Sequence, residues 1–430
     1  MKKTGLSPRF WAALIVFSLV GQIAWVVENM YFNVFIYKMF HASPGAISLM
    51  VAASAVAATL TTLLMGALSD KLGKRKLFIC GGYILWGVSI WSFALIRADV
   101  IGRLFPAAVS AASAGVSLVI VMDCVMTFFG STANDACFNA WLTDSTDERN
   151  RGAAEGVNAM MPLIAILAVF GGFMGFDLDL PGSWVTIYTV IGVAVIAIGV
   201  LGFFLIEEPR IDVTENRSWF KNLVYGFRPS VLRENRDLYR TLAAFAVFGI
   251  SIQIFMPYLI LYYEVSLGME NYVMIMAPAI LLAAAVTVFY GKLYDRYRFR
   301  LTLPPVLAML CGGYLLLYFT RSTVPVFLGS LLMMCGYLSG MAVFGAKLRE
   351  HTPANRAGMF QGLRIVGQVL IPGVIGPWIG AWVLRNAETV VGDDGTVSFI
   401  PHAGIFLAAL AAALLVLPAA WALLCRSREG

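Results

Sequence analysis

Charge is scarce in this chain: Asp, Glu, Lys and Arg together make up 13% of its 430 residues, and histidine occurs three times, at His41, His351 and His402. So thin a supply of titratable groups, with no nucleophile motif and no polar stretch long enough for a soluble catalytic domain, argues against an enzyme. The six cysteines (Cys80, Cys124, Cys137, Cys311, Cys335 and Cys425) have no C-x-x-C spacing. No disulfide and no metal site is expected of them, and nothing asks for a cofactor. The ten-residue alternating strands of a membrane barrel are also missing. A net charge of +6 is small and calls for no nucleic-acid partner.

Apolar residues are abundant, at 60%. Roughly 20 apolar residues cross a bilayer as helix. Twelve such stretches occur, near 11–37, 46–68, 77–97, 112–141, 153–175, 184–206, 240–263, 271–291, 301–320, 324–346, 358–384 and 403–424. The expected fold class is an all-α polytopic membrane protein with twelve transmembrane helices. The opening MKKTGLSPRFWAALIVFSLVG is read as the first span, because its apolar run outlasts a signal peptide and no small-residue cleavage site follows. Basic residues accumulate in cytoplasmic loops. With both termini inside, all Lys and Arg but Lys38, Arg97, Arg103, Arg321 and Arg385 fall on the inner side. The chain is therefore expected in the cell membrane, both ends cytoplasmic, in contact with lipid.

The two halves repeat one design. GALSDKLGKRK (66–76) follows the second span and GKLYDRYRFR (291–300) the eighth, while AWLTDSTDERNRGAAEG (140–156) aligns without gaps to AKLREHTPANRAGMFQG (346–362). The polar stretch 207–239 separates the copies, and WFKNLVYGF within it reads as a short amphipathic helix at the membrane surface. These features divide the chain into an N-terminal six-helix bundle (1–206), a cytoplasmic linker (207–239) and a C-terminal six-helix bundle (240–430).

With G-x-L-x-D-[RK]-x-G-[RK]-[RK] between the second and third of six-plus-six spans, the chain resembles the major facilitator superfamily over its whole length. The first copy keeps Gly66, Leu68, Asp70, Lys71, Gly73, Lys74 and Arg75; the second keeps Gly291, Asp295 and Arg296 but lacks the central glycine. The resemblance implies two pseudo-symmetric bundles around a central cavity. Gly66 would let helices approach closely, and Gly66, Asp70, Arg75, Asp144, Arg151, Asp295 and Arg296 would form a cytoplasmic gate. The run NDACFNAWLTD ending the fourth span, with Glu28 in the first, is similar to the glycoside-pentoside-hexuronide:cation symporters, sucrose-transporter-like relatives included. That similarity puts Asp135 at the family's cation-site carboxylate and Glu28 at its sugar-binding carboxylate. Sodium-using members carry two carboxylates on the second helix, where this chain has Ala58 and Thr62, so a proton is expected as the coupling cation rather than sodium. The implied function is cation-coupled symport of a sugar or glycoside by alternating access, by a monomer. A proton-driven exporter of small amphipathic compounds is the alternative, and substrate identity and direction stay open.

The polar residues of the spans carry the chemistry. On a helical wheel Gln22, Trp25, Glu28, Asn29 and Asn33 occupy an arc of about 140°; carboxylate and amides beside an indole face suit a polyol, while glue between helices is the plainer reading. In the fourth span Asp123, Thr127, Ser131 and Asn134 lie within about 80°, flanked by Asp135 and Asn139, as if facing an aqueous cavity. The second half offers Gln253, Tyr258, Gln368 and Arg364, of which Arg364 could either snorkel to the surface or pair with an acid or substrate. Asp135, with Asp123 and Thr62 as further candidates, is the expected coupling site. Pro372, and Pro377 within GVIGPWIG (373–380), interrupt their span, which suits either a thin, bent helix at the bundle interface or a merely tolerated kink.

Overall fold

The computed structural model describes residues 6–104, 110–147, 150–208, 227–352, 362–392 and 395–426. Lys2, Lys3, Arg149, Arg356, Arg428 and all of WFKNLVYGF except Phe227 lie outside that set. Among the described residues eleven helices are long and apolar enough to cross a membrane. They are α1 (Pro8–Phe40), α2 (Pro44–Leu72), α3 (Arg75–Leu95), α4 (Ala112–Asp144), α5 (Arg151–Phe173), α6 (Pro181–Leu205), α7 (Arg236–Ser266), then Val273–Phe319, followed by Thr323–His351, Gly362–Asn386 and Gly404–Cys425. The stretch Val273–Phe319 would run about 70 Å as one helix, twice what a bilayer core needs. It is broken at Arg298 (φ 57, ψ −178) and supplies two spans, α8 before the break and α9 after it. The last three are then α10, α11 and α12, and the twelve spans read from the sequence are accounted for.

The break falls where the first copy of the repeat has its own turn. Aligning GKLYDRYRFR with GALSDKLGKRK sets Arg298 opposite Gly73, and Gly73 also has positive φ, at 62. Only glycine adopts such backbone cheaply, so the residue that the second copy lacks is one its geometry still demands. Two further differences from the expected layout are small. The α7 helix starts at Arg236, inside the stretch read as linker, preceded by a short helix Pro229–Glu234. Between α11 and α12 an antiparallel ribbon pairs β1 (Thr389–Val391) with β2 (Val397–Phe399), Thr389 opposite Phe399, adding a little sheet to an otherwise helical chain.

The chain folds as two compact units, Met1–Ala42 with Val56–Trp219, and Ser43–Ala55 with Phe220–Gly430. Both are built on close helix approach at glycine. In the first, a Cβ on Gly87 of α3 would stand 2.6 Å from the Gly192 carbonyl oxygen of α6, so those backbones nearly touch. In the second, a Cβ on Gly376 of α11 would meet Gln253 Cβ of α7 at 2.4 Å. The GVIGPWIG stretch thus turns Gly376 and Gly380 toward α7. Outward faces are apolar instead: Leu60, Phe204, Phe289, Phe319 and Trp421 are all more than half exposed, as lipid contact requires and water would penalise.

Candidate functional site

Four spans leave α-helical geometry for one or two turns of π-helix: α1 over Val27–Tyr31, α4 over Ser131–Phe138, α7 over Tyr262–Ser266 and α11 over Val366–Leu370. A π turn spends one extra residue, so faces beyond it rotate away from a 100° wheel, and such turns recur at functional sites. Glu28, Asn29, Asn134, Asp135 and Gln368 all sit in these stretches.

Inside the first unit, α1 and α4 meet through polar side chains. Glu28 is 7% exposed and accepts a hydrogen bond of 2.8 Å from Thr127 Oγ1. Asp123, one turn before Thr127, is buried as well. Trp25 Nε1 donates to Asn134 Oδ1 at 3.3 Å, Asn134 Nδ2 donates to Tyr83 Oη at 2.7 Å, and Tyr83 Oη donates to the Phe17 carbonyl at 2.7 Å. The amide of Asn134 is therefore spent on ties among α1, α3 and α4. The stripe expected to face a cavity lies inside the unit.

The wheel arc of α1 is split by its π turn. Glu28 and Asn33 are buried, Gln22 and Trp25 half-buried, and Asn29 exposed. Asn29 Nδ2 donates to the Trp25 carbonyl at 2.8 Å, leaving its amide oxygen available. Asn33 Nδ2 donates to the Asn29 carbonyl at 3.1 Å, while its Oδ1 is buried without a hydrogen bond. On α4, half-buried Asp135 accepts Ser131 Oγ at 3.0 Å, and exposed Asn139 donates to the Asp135 carbonyl at 3.1 Å. Thr62 Oγ1 on α2 is buried without a partner.

In the second unit Tyr258 is fully buried and donates to the Pro44 carbonyl at 3.0 Å. Gln253 is held against Gly376, Gln368 is half-buried, and Arg364 is half-buried with its Nε–H lacking any acceptor.

The residues assigned to a gate do converge in the first unit. Arg75, 4% exposed, pairs with Asp70, donates from Nε to Asp144 Oδ2 at 3.0 Å and from Nη1 to Ser69 Oγ at 2.5 Å. Arg151 closes the end of α4, donating to the Thr143 and Thr146 carbonyls at 3.2 Å. A Cβ on Gly66 would meet Ala136 Cβ at 3.8 Å, an ordinary contact, so close approach is not what that glycine provides. In the second unit Asp295 and Arg296 are exposed, and Arg296 lies 5.2 Å over the Tyr297 ring. Arg298 and Lys347 instead pair with Glu350, each at 3.2 Å. The repeat alignment sets Glu350 opposite Asp144, a signal in the sequence that would have found it. Tyr83 and Ser69 had no comparable signal beyond lying near the motifs.

The Major Facilitator Superfamily profile matches residues 11–377. Sugar efflux transporter B of Salmonella typhimurium (strain LT2) is 25% identical over 201 residues, which are 47% of this chain and 46% of that protein, so the chain matches about half the length of this curated relative. Among solved structures, the nucleoside transporter NupG superposes with a TM-score of 0.70 at 11% identity, covering 97% of this chain and 99% of that one. The xylose transporter XylE from E. coli gives 0.69 at 13% identity, covering 96% and 97%. A bacterial homolog of the human lysosomal transporter Spinster gives 0.68 at 16%, covering 99% and 98%. Likeness at such identities establishes the fold, and the profile covers most of the chain. The protein is a polytopic membrane protein and belongs to the Major Facilitator Superfamily of transporters.

Proposed function

We propose that the protein carries a sugar or glycoside across the cell membrane together with protons, by alternating access between an N-terminal bundle (1–206) and a C-terminal bundle (240–430), as a monomer with both termini cytoplasmic. The observation that carries the reading is the Glu28–Thr127 bond beside the Trp25–Asn134 contact, set where α1 and α4 both pass into π-helix. A carboxylate beside an indole face, with the free amide oxygen of Asn29 one residue on, is the kind of group set that accepts hydrogen bonds from a sugar's hydroxyls. The glycoside-pentoside-hexuronide:cation symporters fit this arrangement, with Asp135 as the coupling acid. One carboxylate that trades a proton as its surroundings change from wet to dry suffices for proton coupling. A sodium ion asks for several oxygens with compensating charge, and Thr62 stands where sodium users have an acid.

Direction is a separate matter. The curated relative is a sugar efflux transporter, which favours export as a second reading with the same substrate class. A thermal-shift screen of the purified protein against sucrose, xylose and a panel of glycosides, with amphipathic amines alongside, tests the substrate class. A ligand that binds the folded state raises its apparent stability. Stabilisation by carbohydrates supports the proposal; stabilisation by the amines alone would replace it with export of amphipathic compounds.

A further inference from the structure

Charge that the sugar reading does not use gathers at one end of the second unit. From Ala346 to Arg364 the chain reads AKLREHTPANRAGMFQGLR, with Lys347, Arg349, Arg356 and Arg364 set against one acid, Glu350. Both Glu350 oxygens are engaged, Oε1 by Arg298 and Oε2 by Lys347. Arg364 makes no ion pair or hydrogen bond among the described residues, and its Nε–H is buried. The charged group that acts on it is Arg349, of like sign. Apolar packing supports this proximity: Leu348 of α10 and Leu363 of α11 pack in one cluster with Val231, Leu238 and Leu242, so the arginine following each leucine is held at the same end. His351 Nε2 is a further buried nitrogen there without a partner.

A buried donor facing a like charge opposes folding unless an anion completes the site. Asp237, the other acid at this end, is taken up by Arg240 at 3.0 Å. The basic-loop topology places this end of the unit on the cytoplasmic side, in the leaflet that carries anionic lipid. Guanidinium forks match the oxygens of a phosphate better than a point charge does. We propose that Arg364 and Arg349 form a binding site for a phosphate group, supplied by an anionic lipid headgroup or by free phosphate.

The test uses the full chain in phosphatidylcholine nanodiscs at fixed ionic strength, with either phosphatidylglycerol blended into the bilayer or inorganic phosphate added to the buffer, and thermal unfolding as the readout. The expected result is a rise in the wild-type unfolding temperature with at least one of the two anions. Apparent affinity for that anion should fall about tenfold in Arg364→Gln, the loss of one charge-assisted contact. A response to phosphatidylglycerol alone assigns the lipid headgroup, and a response to phosphate alone assigns the free ion. Should Arg364→Gln fail to fold, Arg349→Gln, whose side chain is exposed, carries the same comparison. The proposal is overturned if neither anion stabilises the wild type, or if the wild type and the variants respond equally.

Discussion

Replacing Asp144 by Asn should cost more stability than replacing Asp70 by Asn, although both carboxylates touch the same guanidinium. Arg75 is nearly enclosed, its side chain 5% exposed, while Asp70 is 64% exposed and Asp144 29%. An ion pair with one partner mostly in water is worth about 0.2–1 kcal/mol and fades with salt. A charge-assisted bond with both partners largely out of water is worth about 1.5–3 kcal/mol, and the residual exposure of Asp144 reduces this to about 1–2 kcal/mol. Asp70→Asn should therefore cost under about 1 kcal/mol, and nothing measurable in 1 M salt where screening acts within about 3 Å. Arg75→Gln removes both pairs and the Ser69 bond, for about 2–3 kcal/mol. The assay is reversible unfolding in mixed micelles, with a double-mutant cycle between Arg75→Gln and Asp144→Asn. A coupling of about 1–2 kcal/mol is expected, since residues in one network do not add. An Asp70→Asn variant less stable than Asp144→Asn, or a coupling near zero, would refute the claim that Arg75 and Asp144 tie α3 to α4.

The other expectations are shorter. Gly376→Val should destabilise the second unit by more than about 2 kcal/mol through overpacking against Gln253 and the Ile250 carbonyl, whereas Gly66→Ala should leave unfolding unchanged within about 0.5 kcal/mol; thermal melts of the two variants check both. Arg298→Gly should raise the melting temperature, because relief of the positive φ is worth about 1–3 kcal/mol and the half-exposed pair with Glu350 at most about 1 kcal/mol. Thr127→Val and Glu28→Gln should each weaken carbohydrate binding by about 1–3 kcal/mol in calorimetry; unchanged affinity in both would remove Glu28 from the site.

The number of spans was legible because lipid imposes length and apolarity on each helix, and the paired turns were legible because the repeat carries Asp70 and Asp295 with basic neighbours. The sequence also named the residues of the π stretches, since carboxylates and amides in a span are costly and stand out. It could not show which way they face. Periodicity at 3.6 residues assumes an unbroken helix, and an extra residue in the π turn of α1 turns Asn29 outward while Asn33 stays buried. Nor could it show that Asn134 is bound at both ends, because Tyr83 lies 51 residues away in a segment with no polar pattern. The break at Arg298 was hidden by the absence of the glycine that normally marks such a turn.

Coupling at Asp135 is tested most directly in proteoliposomes loaded with a pH-sensitive dye, to which sucrose, xylose and any glycoside found by thermal shift are added in sodium-free buffer. The wild type should acidify the lumen as sugar enters, and Asp135→Asn should still be stabilised by the same sugar while moving no protons. Sugar entry that requires sodium and ignores the pH gradient, or proton movement undiminished in Asp135→Asn, would contradict the account.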